Sequence, residues 1–167
     1  MSQLPSQWQM AKLSEICTRI VDGSHTPPKA RDEGFPMLSA RNIQGRGINF
    51  DEFRYISEED FRREHARTQI TAGDVLLTIV GAIGRTAVVP SGMQPFTLQR
   101  SVAVLKSDVI DPRYLSLALE SPDIQRYLEQ NAKGTAQKGI YLKALSQVEI
   151  PLAPLPEQKR IADKLDE

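Results

Sequence analysis

The strongest constraint on the fold is a pair of runs rich in Val, Leu, Ile and Thr, residues 74–80 and 85–90, separated by Gly81-Ala82-Ile83-Gly84. Side chains of that kind fit a pleated, half-buried surface, and a four-residue connection carrying two glycines turns the chain back as two joined strands. Residues 96–106 supply a third strand, with Val102 and Val104 alternating against Ala103 and Leu105. A sheet is therefore the centre of the fold.

Short helices and loops are expected around it. Residues 8–21 place Leu13, Ile16, Cys17 and Ile20 at helical spacing before Asp22-Gly23 breaks the pattern, which predicts a short helix. Pro27-Pro28 and four charges make residues 24–34 a surface loop. Residues 35–43 predict a strand ended by a tight turn on Gly45 and Gly47. Ser57-Glu58-Glu59-Asp60 resembles a capping box opening an amphipathic helix over 61–67. Asp111-Pro112 starts another helix, with Pro where the missing N–H costs nothing and with Leu115, Leu117, Ala118 and Leu119 on its apolar face. Ser121-Pro122 repeats that signal for a helix bearing Ile124, Tyr127 and Leu128, which runs out near Gly134. Residues 142–145 read as a single turn and 148–151 as a short strand. After Pro151, Pro154 and Pro156 a last helix begins at Glu157, and its Ile161 and Leu165, four apart, form one stripe with nothing obvious to pack on. The fold class expected is α/β in the mixed α+β sense: a twisted mixed sheet flanked by short helices, with a body at 1–153 and the start of a projecting helix at 154–167.

A chain of 167 residues is sized for one domain with its own core. Its longest apolar run, 75–83, is interrupted by Thr78 and Gly81 and falls far short of the roughly 18 to 20 residues that span a bilayer. Residues 1–12 lack signal-peptide order, and the single cysteine, Cys17, cannot form an internal disulfide. A cytoplasmic location without membrane contact is the expectation. Lys plus Arg and Asp plus Glu both total 21, which excludes a uniformly basic surface. The charge is nonetheless sorted: residues 61–107 carry six bases against Glu64 and Asp74, and residues 131–148 carry Lys133, Lys138 and Lys143 against no acid.

Catalytic signatures are missing. The only Pro-Pro, at 27–28, lacks the context of a methyltransferase base-flipping loop. The 81–84 segment has neither dinucleotide nor P-loop spacing. Pro122-Asp123 and Glu157-Gln158-Lys159 sit at helix starts, where a nuclease would need its acids on adjacent strands. Cys17 lies among Ile16 and Ile20, which favours a structural thiol over a nucleophile paired with His25 or His65, and one cysteine with two histidines makes no zinc site. No Gly-x-Ser-x-Gly elbow occurs. Neither a metal nor a cofactor is expected, and a binding module is favoured over an enzyme.

Several segments together resemble a known family. Gly73-Asp74-Val75-Leu76-Leu77-Thr78, Gly81 to Arg85 and Ala87-Val88-Val89 are similar to the centre of the target recognition domain in specificity subunits of type I restriction-modification systems. Gly134-Thr135-Ala136-Gln137-Lys138-Gly139-Ile140, Ile150-Pro151 and Pro154-Leu155-Pro156-Glu157-Gln158-Lys159-Arg160-Ile161 resemble the way that domain ends and passes into the family's conserved spacer helix. Trp8, Leu13, Asp22-Gly23 and Thr26-Pro27 fit its opening. The resemblance implies a non-catalytic reader of one half of a split duplex DNA target. Methyl transfer would belong to partner methyltransferase subunits, and ATP use and cleavage to a restriction subunit. With one domain and a short piece of helix, the chain is expected to be either a first recognition domain cut within its spacer or a half-subunit. In the latter case it would pair with a second domain, or as a homodimer, through that helix.

The residues are suited to such a reader. Arg grips guanine with two parallel bonds and Asn or Gln does the same for adenine, while Lys, Arg and backbone N–H groups hold phosphates. Arg41, Asn42, Gln44 and Arg46 cluster around the Gly45–Gly47 turn; Arg85 follows the 81–84 turn, and Gln99 and Arg100 lie on the next strand. Lys133, Thr135, Gln137 and Lys138 stand in a segment whose glycines let the backbone approach a phosphate, and Ser24 and His25 join the candidates. Ile161 and Leu165 are the candidate partner contacts. They also support the alternative, a helix-mediated assembly module with little DNA binding of its own.

Overall fold

The computed structural model describes residues 3–166. In chain order its elements are β1 (Gln9–Lys12), α1 (Leu13–Ile16), β2 (Arg19–Asp22), β3 (Phe35–Leu38), a 3-10 turn (Ala40–Asn42), β4 (Ile43–Gln44), β5 (Gly47–Ile48), β6 (Arg54–Ile56), α2 (Glu58–Thr68), β7 (Val75–Thr78), β8 (Thr86–Val88), β9 (Thr97–Leu98), β10 (Val102–Lys106), α3 (Pro112–Leu119), α4 (Pro122–Asn131), α5 (Leu142–Ser146), β11 (Glu149–Leu152) and α6 (Leu155–Leu165). The main sheet has the order β2-β10-β7-β8, antiparallel throughout, with Ala103 facing Asp22 on one side and Leu77 on the other. A second sheet, β6-β3-β9, is mixed because β3 and β9 run parallel, and β1-β11 and β4-β5 form two-stranded pairs. The expected α/β class with a mixed sheet is what forms.

Both faces of the main sheet are buried. Alternation along β10 and β7 sends Val75, Leu77, Ala103 and Leu105 into a core shared with Leu115 and Leu119 of α3 and Leu128 of α4. The intervening Leu76, Val102 and Val104 meet Leu38, Phe96 and Leu98 on the other side. Each fully buried leucine of this kind contributes about 1.5 to 3 kcal/mol. Local signals place the helix starts: Ser57 Oγ accepts the Asp60 N–H at 3.1 Å, and Asp111 Oδ1 accepts those of Arg113 and Tyr114 at 2.9 and 3.2 Å.

Several expectations need correction. Only Leu13–Ile16 of the helix predicted over 8–21 is helical, because residues 9–12 pair with β11 and residues 19–22 with β10. The strand predicted over 35–43 breaks after Leu38, where the Asn42 side chain folds back to accept the Ser39 N–H at 2.9 Å. The strand predicted over 96–106 splits at residues 99–101, which cross between the two larger sheets.

The last helix starts at Leu155, not Glu157, and its root is docked. Gln158 is fully buried, accepting from the Asp111 N–H at 2.8 Å and donating to the Ala153 carbonyl at 2.7 Å, and Ala162 is also fully buried. Trp8 Nε1 donates to Glu157 at 3.0 Å. The predicted Ile161–Leu165 stripe is therefore not open along its length: Ile161 packs against the core, and only Leu165 is left well exposed, at 59%. Among the described residues no helix is long and apolar enough to cross a membrane.

Candidate nucleic-acid interface

Three backbone segments build one concave surface. The first is the exit of β2, which passes against residues 98–100 so closely that a Cβ on Gly23 would sit 2.1 Å from the Gln99 carbonyl oxygen. Ser24 N–H donates to the Leu98 carbonyl at 2.8 Å and Arg100 N–H to the Ser24 carbonyl at 2.9 Å, so Gln99 and Arg100 are held by main chain. The second is the turn between β7 and β8. Gly81 and Gly84 take φ of +74° and +97°, the region that favours glycine, and the Gly84 and Arg85 N–H groups both close on Thr78 at 2.9 Å. Arg85 projects exposed immediately afterwards.

The third segment is the loop at residues 133–139. Lys133 and Gly139 exchange backbone hydrogen bonds at 2.8 and 2.9 Å, and the loop is fastened to the hairpin by Gly81 N–H to the Lys138 carbonyl and Ile140 N–H to the Ile79 carbonyl, both 2.9 Å. The Gln137 side chain lies over bare Gly81, where an added Cβ would be 3.2 Å from its Nε2.

Between these segments lies a concavity of about 470 Å³ lined by His25, Arg41, Arg85, Gln99, Arg100 and Gln137. A neighbouring hollow of about 360 Å³ shares His25, Arg100 and Gln137 with it and adds Lys133 and Tyr141. Eight of the candidate residues, Ser24 among them, thus share one continuous surface. Thr135 and Lys138 stand exposed on the same loop, and Gln44, also exposed, donates to the Arg41 carbonyl at 3.0 Å.

Two predicted residues are placed elsewhere. Asn42 is 1% exposed, and its amide, besides accepting from Ser39, donates to the Glu52 carbonyl at 2.8 Å and to Asn49 at 3.3 Å, so it closes its own loop and offers nothing outward. Arg46 lies on another flank beside Arg113, pairing with Asp166 at 3.5 Å and Glu120 at 3.9 Å. Tyr141, 69% exposed at the rim, went unnoticed in the sequence; its position just past the glycine loop was the available signal.

The cleft holds several cations without carboxylate partners, as do other parts of the described surface, where Lys29, Arg31 and Lys143 have none within 4.0 Å either. Among the described residues no carboxylate lies within 4.0 Å of Arg85, Arg100, Lys133 or Lys138. Arg62, Arg63, Arg113, Arg126 and Arg160 all have such partners. Arg41 is paired with Glu52 at 2.5 Å, with both side chains solvent-exposed, a type of pair worth little and readily exchanged. Burial pushes the Cys17 thiol up to about 11, away from the reactive thiolate. No group of three His, Cys, Asp or Glu side chains among the described residues could hold a metal ion.

Fold and surface together define a mixed α/β domain with a glycine-framed, cation-rimmed cleft and a docked C-terminal helix root. The chain belongs to the family described as type I restriction modification DNA specificity domain, whose pattern matches residues 5–167. It is 28% identical over 169 residues to the type I restriction enzyme EcoBI specificity subunit of Escherichia coli, covering 98% of this chain and 35% of that protein. It is 27% identical over 170 residues to the MjaVIII specificity subunit of Methanocaldococcus jannaschii, covering 98% of this chain and 40% of the relative. The solved HsdS subunit from Thermoanaerobacter tengcongensis superposes with a TM-score of 0.70 at 25% identity, over 99% of this chain and 38% of that one. The S subunit from M. genitalium shares the fold with a TM-score of 0.67 at 17% identity, over 99% and 40% of the two chains. The chain thus spans well under half the length of these relatives.

Proposed function

We propose that this domain reads one half of a bipartite duplex DNA target within the specificity subunit of a type I restriction-modification system, and that it catalyses nothing itself. The observation that carries the reading is the set of four cations without carboxylate partners, Arg85, Arg100, Lys133 and Lys138, around a concavity that also holds Gln99 and Gln137. Unneutralised Lys and Arg are what a phosphate backbone replaces its counterions with, and Gln on rigid backbone is suited to base edges. Arg41 joins them when it exchanges Glu52 for DNA. Residues 1–153 form the reading domain in this view, and 154–167 the start of a spacer helix. That helix leads toward methyltransferase and restriction subunits and a second recognition domain, in the cytoplasm, with methyl donor and ATP handled by those partners.

The test is selection of bound duplexes from a random pool at low salt, followed by sequencing. An enriched short motif, weakened in Arg85→Ala, is the expected result. A second reading, helix-mediated assembly, is favoured by the exposure of Leu165 at 59% and Leu155 at 44%. It predicts no enriched motif together with self-association that Leu165→Ser abolishes.

A further inference from the structure

We propose that His25 is a specificity-determining residue of this cleft, and that Asp22 fixes which hydrogen-bonding face it shows to a base. The inference rests on the DNA-reading assignment above. His25 Nε2 lies 2.7 Å from Asp22 Oδ2. A carboxylate only accepts, so Nε2 carries its hydrogen whether the ring is neutral or charged. The proton that comes and goes therefore belongs to Nδ1. That nitrogen has no hydrogen-bond partner among the described residues, and the ring, with its side chain 61% exposed, lines both hollows.

The support beneath the ring is rigid. Asp22 is 12% exposed in its side chain, and its other oxygen faces Arg67 Nη1 of α2 at 3.7 Å. Gly23 allows the close crossing under Gln99, Ser24 is bonded through its backbone to Leu98 and Arg100, and Ser24 Oγ donates to the Glu64 carboxylate at 3.2 Å. A polar atom held this firmly suits readout of a base edge.

The neutral ring offers an acceptor. In the major groove it suits the exocyclic amines of adenine and cytosine and rejects the keto and N7 acceptors of guanine and the keto oxygen of thymine. Protonation reverses this, because Nδ1 then donates. The ionisable groups around the ring are Asp22, Glu64 behind Ser24, Arg67 from α2, Arg41 from the 3-10 turn, Arg85 from the β7–β8 turn, Arg100 from the crossing between the two larger sheets, and Lys133 and Tyr141 from the loop side.

The full 167-residue chain is used to select duplexes from a random pool at about pH 8 and again at about pH 5.5. The expected result is one position of the enriched motif that moves from an amine-bearing to a keto-bearing base on the strand facing the ring, with a preference of about tenfold in each direction. His25→Gln, an exposed replacement that donates and accepts without titrating, keeps the rest of the motif and loses the pH response at that position. Asp22→Asn frees the tautomer and flattens the preference there at about pH 8. A motif unaltered by pH and by His25→Gln overturns the inference while leaving DNA reading intact. So does acid-enhanced binding that is equal for all sequences, which would make His25 a phosphate contact. Failure to enrich any motif would remove the DNA-reading assignment itself, and this inference with it.

Discussion

The unpaired cations of the cleft make a quantitative prediction about salt. Each phosphate neutralised by a protein cation contributes about −0.9 to the slope of log affinity against log salt concentration for duplex DNA. Arg85, Arg100, Lys133 and Lys138 carry no carboxylate within 4.0 Å that must first be displaced. If all four engage phosphates, the slope is about −3.6, and a fourfold rise in salt weakens binding about 150-fold. Replacing any one by alanine brings the slope to about −2.7 and the loss to about 40-fold over the same interval. Arg62→Ala is the control, because Arg62, exposed on α2, lines neither hollow of the cleft. Titration of a fluorescently labelled duplex carrying the selected motif, at several salt concentrations, measures the slope directly. Slopes unchanged in all four variants, or changed as much by Arg62→Ala, would refute the assignment of these side chains to phosphates.

Gln158→Ala removes one side chain and strands the buried Ala153 carbonyl and the half-buried Asp111 N–H; at about 1 to 3 kcal/mol each, stability to urea should fall by about 2 to 6 kcal/mol, and a fall below about 1 kcal/mol would contradict this. Gly23→Ala drives a Cβ to 2.1 Å from the Gln99 carbonyl oxygen, so backbone must move; a melting temperature lowered by several degrees together with weakened duplex binding is expected, and an unchanged melting curve would show that the crossing is looser. Burial raises the Cys17 thiol from its ordinary 9.0 to about 11, so the folded chain keeps a proton that the unfolded chain releases; unfolding free energy therefore falls as pH rises from about 9 to about 11, and Cys17→Ser lessens that slope in denaturant titrations across the window, leaving the part due to the likewise raised Tyr114.

What could be read from sequence was what is determined locally. Ser57, Asp111-Pro112 and the 81–84 glycines act within a few residues of themselves, and each produced its predicted cap or turn. Residues 8–21 were misjudged because their strands pair with β11 and β10, more than 80 residues downstream. Helical spacing of Leu13, Ile16 and Ile20 carries no trace of those partners. The candidate site divided in the same way. Gln99 and Arg100, expected on a strand after the 81–84 turn, and Gln137, expected in a glycine-bearing loop, line the cleft, while Arg46 lies apart from it because its acids, Glu120 and Asp166, are distant in the chain. Asn42 looked like a reader of adenine because residue type does not reveal burial, and its amide closes the 39–52 loop instead. The docking of α6 turned on Gln158, a polar residue that no apolar stripe would single out.

The 133–139 loop is fastened to the hairpin through main-chain atoms alone. Letters at positions 135 and 136 can consequently be rewritten without loosening any strut of the scaffold, and Gly81 leaves headroom beneath position 137 for a different occupant. Gly134 is the fixed note, since its φ of +120° admits little else. Such an arrangement lets novelty accumulate at the rim while inheritance stays in the frame.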